Sequence, residues 1–182
     1  MNAPGSRHIV LVSGPPGSGK STLARPLAEH LGYALLAKDD IKESLYGSLG
    51  AAPGDREASR RIGAVAMDLL WALAVHCPAV VLEANFRTHS ALEREQVAVL
   101  LRQPGARLVE VHCRVPLEEA SRRFAERARQ ERHHPAHPLA EMSPEAMAAY
   151  SAPFALSPVI AVDTTRPVEI AALAAEVRAA LR

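Results

Sequence analysis

Gly14-Pro15-Pro16-Gly17-Ser18-Gly19-Lys20-Ser21-Thr22 is the stretch that decides the fold, because it matches the phosphate-binding loop pattern G-x-x-x-x-G-K-[ST] at every fixed position. Its glycines let backbone N–H groups turn towards a β-phosphate, its lysine can reach the β- and γ-phosphates, and its serine hydroxyl can ligate Mg²⁺. The alternative is a Gly/Ser-rich turn without a ligand. An apolar, β-branched run at 8–13 and a helical pattern at 21–31 flank the loop, and this context favours phosphate binding by all nine residues.

The composition predicts one domain over 1–182, with a small lid at about 117–140. Hydrophobic residues make up 48% of the chain and aromatic residues only 4%, so the core must be aliphatic. The net charge of +1 does not indicate a large nucleic-acid surface, although it leaves room for a local basic groove. Cys77 and Cys113 form no C-x-x-C pair, and no secretory signal or membrane-spanning run is recognisable, so we expect a cytoplasmic protein that does not enter membranes.

Strand-like apolar runs alternate with longer helical patterns, which is typical of βαβ units and a parallel sheet. We predict strands at 9–12, 33–37, 79–82, 107–113 and 159–162, and helices at 21–31, 56–76, 90–102, 117–132 and 168–181. The expected fold is therefore α/β of the P-loop NTPase type, with a five-stranded parallel sheet covered by helices on both faces and a lid of helix and loop. In the helix at 56–76, Trp71 is expected to pack in the core, together with the residues at helical spacing Ile62, Val65, Ala66, Leu69, Leu70 and Leu73.

Two acidic residues, Asp39 and Asp40, follow the second predicted strand. The carboxyl ends of parallel strands line the ligand crevice, so one of them should lie near a γ-phosphate. A carboxylate there could accept the proton of an attacking hydroxyl. Both could instead cap the helix that follows. The two interpretations are compatible, with Asp39 as the catalytic base and Asp40 as the cap.

Another acidic residue, Glu83, ends the third predicted strand. Its position downstream of a phosphate loop is typical of a Walker B residue, which holds Mg²⁺ through water or polarises a nucleophile. The alternative is a solvated strand end. Asn85 and Arg87 are expected to face the same crevice and to contact the substrate.

Arg123 and Arg127 lie four residues apart in the predicted helix at 117–132 and share a face. Guanidinium groups on a lid suit the charge that develops during phosphoryl transfer. The alternative is a solvated helix with Glu–Arg pairs such as Glu119–Arg123. We predict that at least one of these arginines is functional.

Taken together, these motifs resemble the P-loop kinase group that includes the 5′-polynucleotide kinase domain, zeta toxin-like kinases and chloramphenicol phosphotransferase, which are ATP-binding kinases of the AAA_33 type. Lys38-Asp39-Asp40-Ile41-Lys42 is similar to the Arg-Asp-Asp-x-x-Arg segment of polynucleotide kinases, in which the first Asp is the general base. Glu83-Ala84-Asn85 stands where that family has Asp-x-Asn, and 123–127 is similar to its Arg-x-x-x-Arg lid segment. The resemblance implies Asp39 as base and Arg127 on the donor phosphates.

One position departs from the family pattern. The arginine that contacts the acceptor phosphate in polynucleotide kinases is Lys42 here, and lysine cannot supply a bidentate fork. Together with the near-neutral charge, this makes a phosphorylated, nucleic-acid acceptor less expected than a small molecule. By the same analogy, adenine is expected near Arg123 or Arg127 and the loop at 163–167.

The sequence therefore predicts an ATP- and Mg²⁺-dependent kinase that phosphorylates a hydroxyl of a small molecule such as a nucleoside, sugar or antibiotic. Lys20 holds the donor, Ser21 and Glu83 organise Mg²⁺, Asp39 takes the proton, and Arg127 with Arg123 closes over the transferring group. The alternatives are a 5′-OH polynucleotide kinase and a regulatory ATPase without an acceptor. Side chains in 46–60, 86–90 and 133–158 are expected to select the acceptor.

Overall fold

A five-stranded parallel sheet forms the centre of the molecule, in the order β2-β3-β1-β4-β5. The computed structural model describes residues 6–50, 52–130, 134–139 and 141–182. The strands are β1 (Arg7–Ser13), β2 (Ala34–Ala37), β3 (Ala79–Glu83), β4 (Ala106–Arg114) and β5 (Val159–Asp163). The helices are α1 (Lys20–Leu31), α2 (Lys38–Ser48), α3 (Arg56–Ala74), α4 (Ala91–Leu101), α5 (Leu117–Ala128), α6 (Pro144–Ala148) and α7 (Ile170–Ala180).

Both faces of the sheet are buried, because alternate side chains of each central strand pack against different helices. In β1, Val10 and Val12 belong to the cluster that α1 and α7 cover, whereas Ile9 and Leu11 belong to the cluster that α3 and α4 cover. This double burial explains the continuous apolar character of the strands. The predicted α/β fold with a five-stranded parallel sheet is confirmed.

Helix α3 shows one wrong prediction and one correct one. Val65, Leu69 and Leu73 were expected in the core, yet they are 49%, 37% and 45% exposed. They lie four residues apart on a face turned away from the sheet, since only one stripe of a helix can pack on a flat neighbour. Trp71 is buried as predicted, and its ring centroid lies 5.3 Å from that of Phe86.

The interpretation of Asp40 as a helix cap is wrong. Strand β2 runs directly into α2, so the N-cap position falls on Ala37. Asp40 lies in the first helical turn and pairs with Arg25 at 2.9 Å on the surface. A carboxylate in a first turn is still favourable, because it faces the positive end of the helix dipole.

The predicted lid at 117–140 corresponds to α5 and the segment 134–139, while residues 131–133 and 140 of that prediction lie outside the described residues. A further short helix, α6, lies in the segment that the sequence pattern left irregular. Among the helices that the structure describes, none is long and apolar enough to cross a membrane.

Candidate active site

The loop between β1 and α1 is built around glycines in the left-handed region. Gly14, Gly17 and Gly19 have φ values of 134°, 80° and 84°. A Cβ atom on Gly17 would lie 2.1 Å from the carbonyl oxygen of Ala120 in α5. Only glycine therefore permits this conformation and this close contact between the loop and α5.

Lys20, the first residue of α1, is almost fully buried, and its Nζ donates to the carbonyl oxygen of Pro15 at 2.8 Å. Burial lowers the pKa of Lys20, although the nearby Glu83 carboxylate acts in the opposite direction. The Ser18 hydroxyl is also buried and has no hydrogen-bond partner among the described residues. A buried ammonium and an unsatisfied hydroxyl at a helix N-terminus are the features of an anion site.

Three separate segments meet the loop in one small pocket. Its lining comprises Pro16, Gly17, Gly19, Lys20, Ser21 and Thr22 with Asp39, Glu83, Asn85 and Arg127. Asp39 comes from α2 just after β2, Glu83 ends β3, and Arg127 comes from α5. The carboxyl ends of neighbouring parallel strands meet at one edge of the sheet, which explains why residues so far apart in sequence converge.

Glu83 is nearly buried, and its Oε2 accepts a hydrogen bond from the Ser21 hydroxyl at 3.3 Å. Burial raises the pKa of Glu83, and the Lys20 ammonium opposes that rise. The described residues contain no group of three or more His, Cys, Asp or Glu side chains that could enclose a metal ion. A Mg²⁺ ion that is bound mainly by phosphate oxygens and water needs no such cage, so the Ser21–Glu83 pair fits it.

Asp39 is half-buried, and its carboxylate pairs with the Lys38 ammonium at 2.9 Å. Burial acts to raise the pKa of Asp39, but the charges of Lys38, His137 and Lys20 together outweigh it and lower the pKa. The carboxylate is therefore ionised at neutral pH and can accept a hydrogen bond from a substrate hydroxyl.

A cavity of about 390 Å³, which we call the acceptor-side cavity, adjoins the small pocket and shares Pro16, Asp39, Asn85 and Arg127 with it. Its other lining residues are Lys38, Lys42, Arg56, Ser59, Arg60, Phe124, His137, Pro138, Leu139, Met142 and Tyr150. A cavity of this size suits a small molecule. A neighbouring cavity of about 480 Å³ includes Arg87, whose pKa is raised by a hydrogen bond with Tyr150.

All three segments expected to select the acceptor contribute to these cavities. The sequence motifs did not single out Arg56, Arg60 or Tyr150. The two arginines had a recognisable signal, since they stand four residues apart at the start of a helix that Asp55 caps. Tyr150 follows a short helix in an irregular segment and had none.

The two predicted lid arginines lie in different places. Arg127 lines both the small pocket and the acceptor-side cavity. Arg123 is held by Glu119 at 2.7 Å and donates to the carbonyl oxygen of Thr164 at 3.0 Å. It lines an adjoining pocket, which shares Gly19 and Thr22 with the small pocket and includes residues 164–168, where the resemblance leads us to expect adenine. Arg123 is therefore not among the residues that line the small pocket with Lys20, and the roles of both arginines remain predictions.

Residues 137–139 of the segment 134–139 line the acceptor-side cavity. The Ser59 hydroxyl donates to the carbonyl oxygen of Ala136 at 2.7 Å, and Ala136 is fully buried. The His137 Nε2 lies 2.9 Å from Oε1 of Glu43. These contacts fasten the segment to α2 and α3.

Comparisons with known proteins agree with this architecture. The AAA_33 family model, described as an AAA domain, matches residues 9–149. The structure is similar to that of a protein proposed to be a kinase from Chloroflexus aurantiacus j-10-fl, with 30% identity, a TM-score of 0.83 and coverage of 97% of this chain and 100% of that one. It is also similar to the APS kinase CysC from Mycobacterium tuberculosis in complex with AMPPNP and APS, with 26% identity, a TM-score of 0.56 and coverage of 98% and 99%.

Among curated proteins, the tRNA dimethylallyltransferase of Gloeobacter violaceus is 37% identical over 65 residues. That match covers 36% of this chain and 22% of the relative, so the chain matches only about a fifth of the relative's length.

Proposed function

The chain belongs to the AAA_33 family of AAA domains, and from this membership and the geometry of the cleft we propose that the protein is an ATP- and Mg²⁺-dependent kinase acting on a hydroxyl group of a small molecule. The expected likeness to the P-loop kinase group is confirmed.

One observation carries the proposal: Asp39 and Lys20 line the same small pocket, and Asp39 also lines the cavity beside it. A triphosphate tail held at Lys20 would place its terminal phosphate facing that cavity. An acceptor in the cavity would then meet both the carboxylate and the phosphate, as in-line transfer requires.

ATP as the donor is supported by the similarity to an APS kinase whose structure contains AMPPNP. Ser21 and Glu83 would hold Mg²⁺, which, when bound, neutralises charge on the β- and γ-phosphate oxygens. Lys20 would contact the same oxygens, and Arg127 would approach the transferring group from α5. These groups need no large movement, since they already line one pocket.

In the proposed step, the acceptor oxygen forms a bond to the γ-phosphorus while the bond from that phosphorus to the β–γ bridging oxygen breaks. ADP leaves, and the hydroxyl proton passes to Asp39. Because the pKa of Asp39 is lowered, the carboxylate orients the hydroxyl and takes its proton late in the transfer.

The test compares Asp39→Ala with Asp40→Ala, which removes the adjacent but surface-exposed carboxylate. ADP release is followed with a panel of nucleosides, sugars, sugar acids and aminoglycosides. We expect Asp39→Ala to lower kcat about 100-fold or more with nearly unchanged ATP affinity, and Asp40→Ala to remain close to wild type. Wild-type turnover in Asp39→Ala would remove this residue from the mechanism.

The same assay separates the two alternatives. Release of inorganic phosphate without a phosphorylated acceptor would indicate an ATPase. Turnover of a 5′-OH oligonucleotide that falls steeply with salt would indicate a polynucleotide kinase.

We also propose that the protein works in the cytoplasm. Cys77 and Cys113 are both free thiols, which is the usual state in a reducing compartment. Localisation of the tagged full chain by fractionation would test this.

A further inference from the structure

Lys42 is a buried cation that forms no ion pair with the described residues. Its side chain is 7% exposed, and its Nζ donates to the Ser59 hydroxyl oxygen at 2.8 Å. Ser59 uses its own proton to bond the carbonyl oxygen of Ala136 at 2.7 Å. Since an ammonium has three N–H donors, two of them have no acceptor in the described part of the chain.

The charges that face Lys42 do not neutralise it. Burial and the Lys38 ammonium lower the pKa of Lys42 to about 8, and the more weakly acting carboxylates of Asp39 and Glu43 only partly oppose them. Oδ1 of Asp39 pairs with the Lys38 ammonium, and Oε1 of Glu43 contacts His137. An uncompensated buried charge is costly, so it points to a ligand of opposite charge.

The cavity next to Lys42 is strongly cationic, although the chain as a whole carries a net charge of only +1. Among the described residues, its lining has a single carboxylate, that of Asp39, and the cations Lys38, Lys42, Arg56, Arg60 and Arg127. Lys38 is paired with Asp39, and Arg127 also lines the small pocket around Lys20. Arg56 and Arg60 share a face of α3, are exposed, and have no ion-pair partner among the described residues.

We propose that the acceptor carries an anionic oxygen group, a phosphate or a carboxylate, which binds between Lys42 and the arginines Arg56 and Arg60 while the acceptor hydroxyl lies at Asp39. The proposal rests on the kinase function proposed above and specifies its substrate class. Guanidinium groups bind such oxygens through two parallel N–H donors, and the ammonium adds a compact charge. A neutral sugar or a neutral antibiotic would leave Lys42, Arg56 and Arg60 without an anionic partner in the cavity.

The first test needs no catalysis. Inorganic sulfate is titrated calorimetrically into the full chain saturated with Mg²⁺ and AMPPNP, so that the phosphate loop is already occupied. We expect sulfate to bind wild type at pH 7, to bind Lys42→Gln and Arg60→Ala at least about tenfold more weakly, and to bind Lys42→Arg nearly as well. The matched control is Arg61→Ala, which removes an exposed arginine outside the cavity and should change the affinity less than about twofold.

The pH provides a second readout that does not depend on a variant folding correctly. Sulfate keeps its charge between pH 7 and pH 9.5, whereas Lys42 loses its proton as the pH rises through about 8. Wild-type affinity should therefore fall about tenfold or more across this range. Absence of sulfate binding at pH 7, or equal binding by Lys42→Gln, overturns the proposal.

The second test uses acceptor pairs that differ only in the anionic group, such as a sugar and its acid or a nucleoside and its monophosphate. We expect kcat/KM to be at least about 100-fold higher for the charged member, and its KM to rise in Lys42→Gln with the KM for ATP unchanged. Preference for the neutral members overturns this inference and leaves the kinase proposal intact. Normal sulfate binding without turnover of any acceptor supports the anion site and counts against the kinase. Phosphate and carboxylate acceptors are distinguished by which pairs respond.

Discussion

Replacing Gly17 by alanine should damage the phosphate loop for two reasons that can be separated. The residue has a φ of 80°, which costs a non-glycine residue about 1–2 kcal/mol. Its new Cβ would also lie 2.1 Å from the carbonyl oxygen of Ala120 and 3.2 Å from the amide nitrogen of Phe124. Both atoms belong to the backbone of α5, so no side chain can rotate away, and the loop and the helix must separate by about 1 Å.

Two other glycines supply matched controls. Gly32 has a φ of 71° and open space around the position of a Cβ, so Gly32→Ala measures the conformational cost alone. Gly47 lies inside α2 with nothing within 4 Å, so Gly47→Ala should stabilise the protein by about 0.4–1 kcal/mol. Adding about 1–3 kcal/mol for overpacking, Gly17→Ala should lose about 2–5 kcal/mol.

The assays are urea unfolding followed by Trp71 fluorescence and calorimetric titration with Mg²⁺-ATP. Because α5 carries Arg127, displacement of this helix should also weaken ATP binding by about tenfold or more in Gly17→Ala, with no change in Gly32→Ala. Equal stability and equal ATP affinity in these two variants would refute the packing argument, since it would show that the contact with α5 contributes nothing.

Two further predictions concern buried ionisable side chains. Glu110 is fully buried and accepts hydrogen bonds from the Ser13 hydroxyl and the amides of Phe154 and Ala155 at 2.6, 3.1 and 3.2 Å. Glu110→Ala should therefore lower the free energy of unfolding, measured in urea, by about 3–5 kcal/mol. A loss below about 1 kcal/mol would contradict this role. The pKa of Lys42 is lowered from 10.5 to about 8, so the unfolded chain keeps this proton to higher pH than the folded chain does. In paired urea titrations, wild type should therefore gain stability relative to Lys42→Met as the pH rises from about 8 to about 10.5. A difference between the two proteins that does not change with pH would show that Lys42 is not desolvated in solution.

Much of the site could be predicted because its parts are local motifs on a regular fold. The phosphate loop is specified by glycines and a lysine at fixed spacing, and apolar runs indicate which strands precede Asp39 and Glu83. A parallel sheet then places the residues after neighbouring strands at one edge. Asp39, Glu83 and Asn85 do line one pocket with the loop.

What the sequence did not specify depends on how helices rotate against their neighbours. Arg123 and Arg127 share a face of α5, yet Arg123 donates to the carbonyl oxygen of Thr164 and only Arg127 lines the small pocket around Lys20. Helix α3 likewise has more apolar positions than its contact with the sheet can cover, so Val65 and its neighbours on that face remain exposed. Spacing indicates which residues share a face but not which face packs.

The amino-acid order alone determines the βαβ alternation, the phosphate loop and the acidic residues at strand ends, because each depends on residues within one or two turns of each other. The acceptor-side cavity exists only in the folded chain, since α2, α3, α5 and the segment 134–139 come together there from distant parts of the sequence. The charge state of Lys42 is likewise a property of the tertiary structure. Whether an ammonium is solvated, paired or buried alone depends on neighbours that tertiary packing brings to it, and no sequence spacing specifies them.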